Sequence, residues 1–292
     1  MSNPEFLPLL ASPHCRYDRV DALAPLAWFA AASADAPILL VVPALGTPAG
    51  VYRRLAAEFA VAGVHVGVVE LRGAGRSPVR ARRGVDWGYA DLVDGEIAHA
   101  YALARARHPL APIHALGHSL GGHVLLLHQA RRPEQPLASL ALVASGTPYW
   151  RNYRGLGSLG VRLIGIAADL GSRCFGYYPG DLLRFAGRQG ARLMREWAVL
   201  VREGRFAAVW PDGDWQERLH ATRTRLLGIS VPGDSFTPAR TTEHLLRLAG
   251  VPQAVERLQV DGKPGHFGWL REPAPVVGRL RDWIGQAGNE AS

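Results

Sequence analysis

Short apolar runs alternate with longer helical patterns along this 292-residue chain. That alternation restricts the fold more than any other feature. Residues 37–42 (PILLVV), 64–69 (VHVGVV), 113–116, 137–145, 226–230 and 254–260 read as strands. They are apolar throughout rather than alternating, as expected for strands buried on both faces. Helical spacing marks 50–62, where Val51, Leu55, Ala56 and Phe59 fall on one face, and also 89–107, 120–130 and 272–286. Strands and helices in turn predict an α/β fold: a mostly parallel sheet with helices on both faces, and ligands at the carboxyl ends of its strands.

The alternation stops between residues 147 and 215, where no clear strand is legible. This stretch holds 11 of the chain's 24 aromatic residues, among them Tyr149, Trp150, Phe185, Trp197 and Trp210. A connection this long in a compact domain is usually functional. The expected organisation is therefore a core of residues 1–146 and 216–292 with an inserted helical cap at 147–215.

Gly117-His118-Ser119-Leu120-Gly121 lies between the strand 113–116 and the helix 120–130. A strand that turns sharply into a helix leaves no room for side chains beside the turn, and Gly117, Gly121 and Gly122 supply that room. Ser119 then sits strained and exposed at a helix N-terminus, where backbone N–H groups face any developing anion.

A serine nucleophile needs a base, and the base needs an orienting acid. His123 and His128 lie in the helix after Ser119 and are expected to pack or cap there. His220 and His244 stand in charged, helical surroundings. His266, in GKPGHFG just past the last strand, hangs where a base can reach the serine. Asp234, in VPGDSFTP directly after 226–230, is the expected acid. Asp261 is its rival, five residues before His266, while Asp212 and Asp214 fall in the insertion. Two backbone donors should hold the oxyanion: the N–H of Leu120 and, from the loop 43–48 (PALGTP), that of Leu45. The run 70–77 (ELRGAGRS) lacks the third glycine of a dinucleotide fingerprint and reads as a tight connection near the same end of the sheet.

Composition narrows the function classes. Hydrophobic residues make up 48% and charged residues 20%, a globular balance. The net charge of +8 is almost all arginine, with Lys263 the one lysine. These arginines are spread along the chain. The densest run, Arg72, Arg76, Arg80, Arg82 and Arg83, sits in one loop, so nucleic-acid binding is not expected. Cys15 and Cys174 are too few for a cysteine zinc site and suit a reducing compartment. The N-terminal apolar patch has no basic residue before it and is broken by prolines, unlike a leader, and the longest apolar run is too short to cross a bilayer. The expectation is a cytoplasmic protein with no membrane span, no metal and no organic cofactor. The sequence specifies no oligomeric state.

VVPALG, ELRGAGRS, GHSLGG, GDSFTP and GHFGWL, in that order from about residue 36 to 286, resemble the α/β-hydrolase superfamily. More narrowly, PALGTPAGVYRRLA, GHSLGGHVLLL and ASGTPYWRNY are similar to a bacterial branch of predicted α/β hydrolases related to serine aminopeptidase-like and monoacylglycerol-lipase-like enzymes. The chain departs from that pattern at Pro43-Ala44, where many members have His-Gly. The resemblance implies that Ser119 attacks a carbonyl, His266 shuttles the proton, Asp234 orients His266, and Leu45 and Leu120 bind the oxyanion. The expected reaction is hydrolysis of a carboxylic ester of a small, apolar acyl substrate. Acyl transfer to an alcohol or thiol by the same residues is the alternative, and a non-catalytic binding protein is a third reading. Hydrolysis at a free peptide N-terminus would need a carboxylate near the pocket, with Glu196 and Glu203 as the candidates. Dehalogenase or epoxide chemistry would want a carboxylate where the chain has Ser119.

Overall fold

A computed structural model describes residues 5–9, 23–207, 209–210, 215–251, 255–258 and 264–289, with side chains from 26 to 286. Asp212, Asp214, Asp261 and Cys15 lie outside the described residues.

Eight strands form one sheet: β1 (Glu5–Leu9), β2 (Leu23–Phe29), β3 (Ile38–Val42), β4 (His65–Val69), β5 (Ile113–His118), β6 (Ser139–Val143), β9 (Arg225–Ser230) and β10 (Glu256–Arg257). Their spatial order is β1-β2-β4-β3-β5-β6-β9-β10. The six strands from β4 to β10 pair in parallel, and β1 and β2 add an antiparallel edge. Successive residues of β3 serve opposite cores: Ile38, Leu40 and Val42 belong to one, Leu39 and Val41 to the other. Burial on both faces is why the strands read as unbroken apolar runs.

Five of the six strands read from sequence lie within two residues of their expected ends. The sixth, 254–260, is described only at 255–258, where Glu256–Arg257 pairs with β9. Strands β1 and β2 carried no sequence signal. In β2, Leu26 and Trp28 enter one core and Ala27 and Phe29 the other, so the strand shows no alternation, and Pro25 interrupts its pattern.

The helices follow the expected spacing with two differences. The helix expected at 50–62 opens as a 3-10 turn, Ala49–Tyr52, before α1 (Arg53–Val61). The tighter winding swings Val51 outward, 45% exposed, and puts Tyr52 in the core. The helix expected at 89–107 is wound as Tyr89–Asp91, a π stretch Leu92–Ile97 and α2 (Ala98–Arg107). The π stretch presents Glu96 to Arg72, which donates from Nε at 2.7 Å and Nη2 at 2.8 Å. Helix α3 (Leu120–Arg131) follows β5.

The connection from β6 to β9 holds α4 (Leu156–Phe175), a hairpin of β7 (Tyr178–Gly180) and β8 (Gly187–Gln189), α5 (Ala191–Glu203) and α6 (Trp215–His220). The hairpin was not legible in the sequence, because three-residue strands are too short to show a period. Helices α4 and α5 approach closely at Gly165, where an added Cβ would lie 2.9 Å from the Val201 side chain. Then come α7 (Ala239–Leu248), the single turn α8 (Gly265–Gly268) and α9 (Ala274–Asn289).

Candidate active site

Strand β3 has β4 on one side and β5 on the other, so the order of connection reverses at β3. The carboxyl ends at such a switch point leave a crevice suited to a ligand. A cavity of about 440 Å³ lies there, lined by Leu45 after β3, Ser119 and Leu120 after β5, and His266. Its far wall comes from the β6–β9 connection, including Tyr153, Val161, Ile164, Phe185 and Trp197.

Ser119 occupies the turn from β5 to α3 with φ 54° and ψ −118°. A positive φ in a residue with a Cβ costs of order 1–3 kcal/mol and survives only where the surroundings impose it. Here they do. A Cβ on Gly121 would come within 2.1 Å of the Val42 carbonyl oxygen, and one on Gly117 within 2.4 Å of the Gly122 backbone. The Ser119 carbonyl accepts from Ser145 Oγ at 2.6 Å.

Asp234 and His266 meet at the same end of the sheet. His266 Nδ1 donates to Asp234 Oδ2 at 2.8 Å, which leaves Nε2 as the lone-pair nitrogen. Asp234 Oδ1 accepts from the N–H groups of Phe236 and Thr237, each at 2.9 Å, and Oδ2 also takes the Thr237 hydroxyl. Burial opposes ionisation of this carboxyl. The bonds from His266 and Thr237 and the nearby imidazole outweigh it, and the pKa falls below the usual 3.8. Ser119 and His266 line one cavity, but no hydrogen bond joins them in this structure. Such contacts are often long before substrate binds.

The loop after β3 is held from inside. Tyr52 Oη accepts from the Ala44 N–H at 2.9 Å and lies 2.6 Å from His118 Nδ1. Burial and the neighbouring His266 keep His118 neutral, well below the usual imidazole range. Tyr52 thereby fixes the loop at Pro43-Ala44, where the sequence lacks the common His-Gly. On the neighbouring turn, Glu70 accepts from Ala49 N at 2.9 Å and Arg76 N at 3.0 Å. Gly75 has a φ of +41°, and a Cβ there would lie 2.2 Å from Glu70 Oε2 and push that carboxylate off its two N–H donors. The turn 70–77 is the tight connection expected, and Arg72, first of the basic run, points inward.

One expectation changes, and neither candidate carboxylate reaches the cavity. His123 was expected only to pack or cap; it does pack, between Tyr89 Oη at 3.1 Å and the Gly146 carbonyl at 3.0 Å, but it also lines the cavity. Glu196 turns away from the cavity and accepts from Tyr89 N at 2.7 Å, its pKa raised by burial to about 8. Glu203 pairs on the surface with Arg202 and Arg205. Among the described residues lining the cavity there is no carboxylate.

The chain superposes on solved structures over nearly its whole length. Residues 33–173 match the family described as "Serine aminopeptidase, S33". A loop variant of the haloalkane dehalogenase of Bradyrhizobium elkanii superposes with a TM-score of 0.64 at 15% identity, covering 99% of each chain. The fold is that of the α/β hydrolases. A carboxylesterase of the ammonia-oxidizing thaumarchaeon Nitrososphaera gargenis gives 0.61 at 13% identity over 98% of this chain and 100% of the esterase. An esterase of Thermogutta terrifontis gives 0.57 at 18%, covering 97% and 99%. A comparison with curated protein sequences finds no match. No described helix is long and apolar enough to cross a membrane.

Proposed function

We propose that this α/β hydrolase is a serine carboxylesterase acting on small esters with an apolar acyl group. The Asp234–His266 hydrogen bond at the rim of the cavity that also holds Ser119 carries this reading. Ser119 Oγ attacks the ester carbonyl as His266 Nε2 takes its proton. The oxyanion rests on the N–H groups of Leu45 and Leu120; the first N–H of a helix has no partner within it, and Leu45 N makes no hydrogen bond among the described residues. His266 passes the proton to the leaving alkoxide and an acyl-enzyme remains. Water, deprotonated by His266, releases the acid and restores Ser119. Asp234 keeps His266 in its productive tautomer and stabilises the imidazolium.

The insertion 147–215 serves as the cap. Its Tyr153, Val161, Ile164, Phe185 and Trp197 give the cavity an apolar wall. Among the described residues lining the cavity none is a carboxylate, which supports esters over amino-terminal peptides, whose ammonium group would need one. Ser119 separates this chain from carboxylate-nucleophile chemistry, although the dehalogenase shares its fold.

A panel of p-nitrophenyl esters beside aminoacyl p-nitroanilides tests the reading. Turnover of the esters with an optimum in acyl length supports it. Preference for the aminoacyl anilides overturns it. Acyl-enzyme that accumulates until an alcohol or thiol is added assigns the same residues to transfer.

A further inference from the structure

Ten of the thirteen large apolar side chains exposed among the described residues lie in the β6–β9 connection or on the cavity rim. Half of those ten form a single line on α4: Leu156, Leu159, Leu163, Ile166 and Leu170, exposed by 86%, 52%, 55%, 54% and 56%. Their spacing is 3-4-3-4, the seam of a coiled coil. The opposite face of α4 is spoken for, with Val161, Gly165, Ala168 and Ser172 buried. The line amounts to on the order of 500 Å² of apolar surface, as large as the biggest patch most monomers leave open.

We infer that α4 is a dimerisation helix that pairs with α4 of a second copy of this chain, antiparallel across a two-fold axis near Leu163 and Ile166. The flanks of the seam select this partner and orientation. One flank carries Arg162 and Asp169, the other the small residues Gly160 and Ala167. In an antiparallel pair like flanks face each other, so Arg162 of each copy meets Asp169 of the other, and the small residues let the backbones approach. A parallel pair would set Arg162 against Ala167 and Asp169 against Cys174, with no complementarity. Flanking charges of this kind set coiled-coil orientation. Arg162 has no ion pair among the described residues and lies over the Trp150 ring, 4.9 Å from its centroid; Asp169 holds only Arg173 of its own helix, at 3.0 Å. An anionic lipid surface fits the seam less well, because Asp169 borders it and the apolar stripe is narrow, whereas interfacial helices carry a broad apolar face.

Sedimentation velocity of the full chain tests this. The expected species is a dimer at micromolar concentration, twice the 31.6 kDa of one chain. Leu163→Glu with Ile166→Glu should raise the dissociation constant at least about tenfold while far-UV circular dichroism stays unchanged. Arg162→Asp alone should weaken the dimer, and Arg162→Asp with Asp169→Arg should restore it, a rescue that misfolding cannot mimic. A wild-type monomer, a dimer indifferent to both the glutamate and the charge variants, or a monomer that co-sediments with phosphatidylglycerol vesicles would each overturn the inference.

Discussion

The Tyr52 hydroxyl stands 2.6 Å from His118 Nδ1 and accepts the Ala44 N–H, tying the residue before Ser119 to the loop that carries Leu45. Two of the backbone segments proposed to hold the oxyanion are thus positioned by one buried phenol. Tyr52→Phe removes that link and leaves two buried polar groups without their partner. Each such loss costs about 1–3 kcal/mol. Ester turnover should fall about 10–100-fold in kcat with KM little changed, since a misplaced oxyanion donor acts on the transition state. Steady-state kinetics with a urea melt check both. An unchanged kcat would detach the loop from catalysis.

Asp234→Asn should lower kcat by about 10³–10⁴-fold, the loss expected when the orienting acid is neutralised. The fold should survive, because the asparagine can still accept from Phe236 N and Thr237 N through its oxygen. Asp261→Asn is the control; if it carries the loss instead, Asp261 is the acid.

Stability should fall as pH drops from about 6.5 toward 4. His114, His123 and His128 are buried and are held down to about 4 in the folded chain, against 6.5 when unfolded, and burial also holds His118 well below 6.5. Between those values the unfolded chain binds more protons, so unfolding is favoured as pH falls. Asp234 acts in the same direction further down: its contribution is present above 3.8 and lost as pH falls through its depressed pKa. Melting temperature measured against pH checks this. A flat profile from pH 7 to 4.5 would contradict it.

Glu196→Gln should stabilise the protein at alkaline pH. Burial lifts this carboxyl to about 8, so the folded chain holds it protonated while the unfolded chain ionises it near 4.5. The contribution of Glu196 alone therefore falls as pH rises from 4.5 to 8, opposite in sign to that of the histidines, and an amide removes that loss. The melting temperature of the variant should exceed wild type at pH 8, with ester turnover retained.

The parallel core of the fold was legible, and Ser119, Asp234 and His266, which the fold brings to one end of the sheet, could be proposed from sequence because each rests on a local pattern. Buried strands are continuous apolar runs, and a strand-to-helix turn crowded by Gly117, Gly121 and Gly122 needs no tertiary information. What was hidden depends on distant partners. Tyr52 reads as an ordinary helix residue until β5 brings His118 to it. His123 reads as packing until the β6–β9 connection closes a cavity beside it. Strand β2, between β1 and β4, shows no period, and the hairpin β7–β8 is shorter than any sequence window. Glu196 is charged on paper and neutralised by a burial that only the fold reveals.

The central claim is that Ser119 is the nucleophile. Labelling with a fluorophosphonate probe, wild type beside Ser119→Ala, tests it most directly. One covalent adduct is expected on the wild-type chain, located by mass spectrometry at Ser119, and none on the variant, with ester turnover lost in parallel. Labelling or turnover that persists in Ser119→Ala would contradict it.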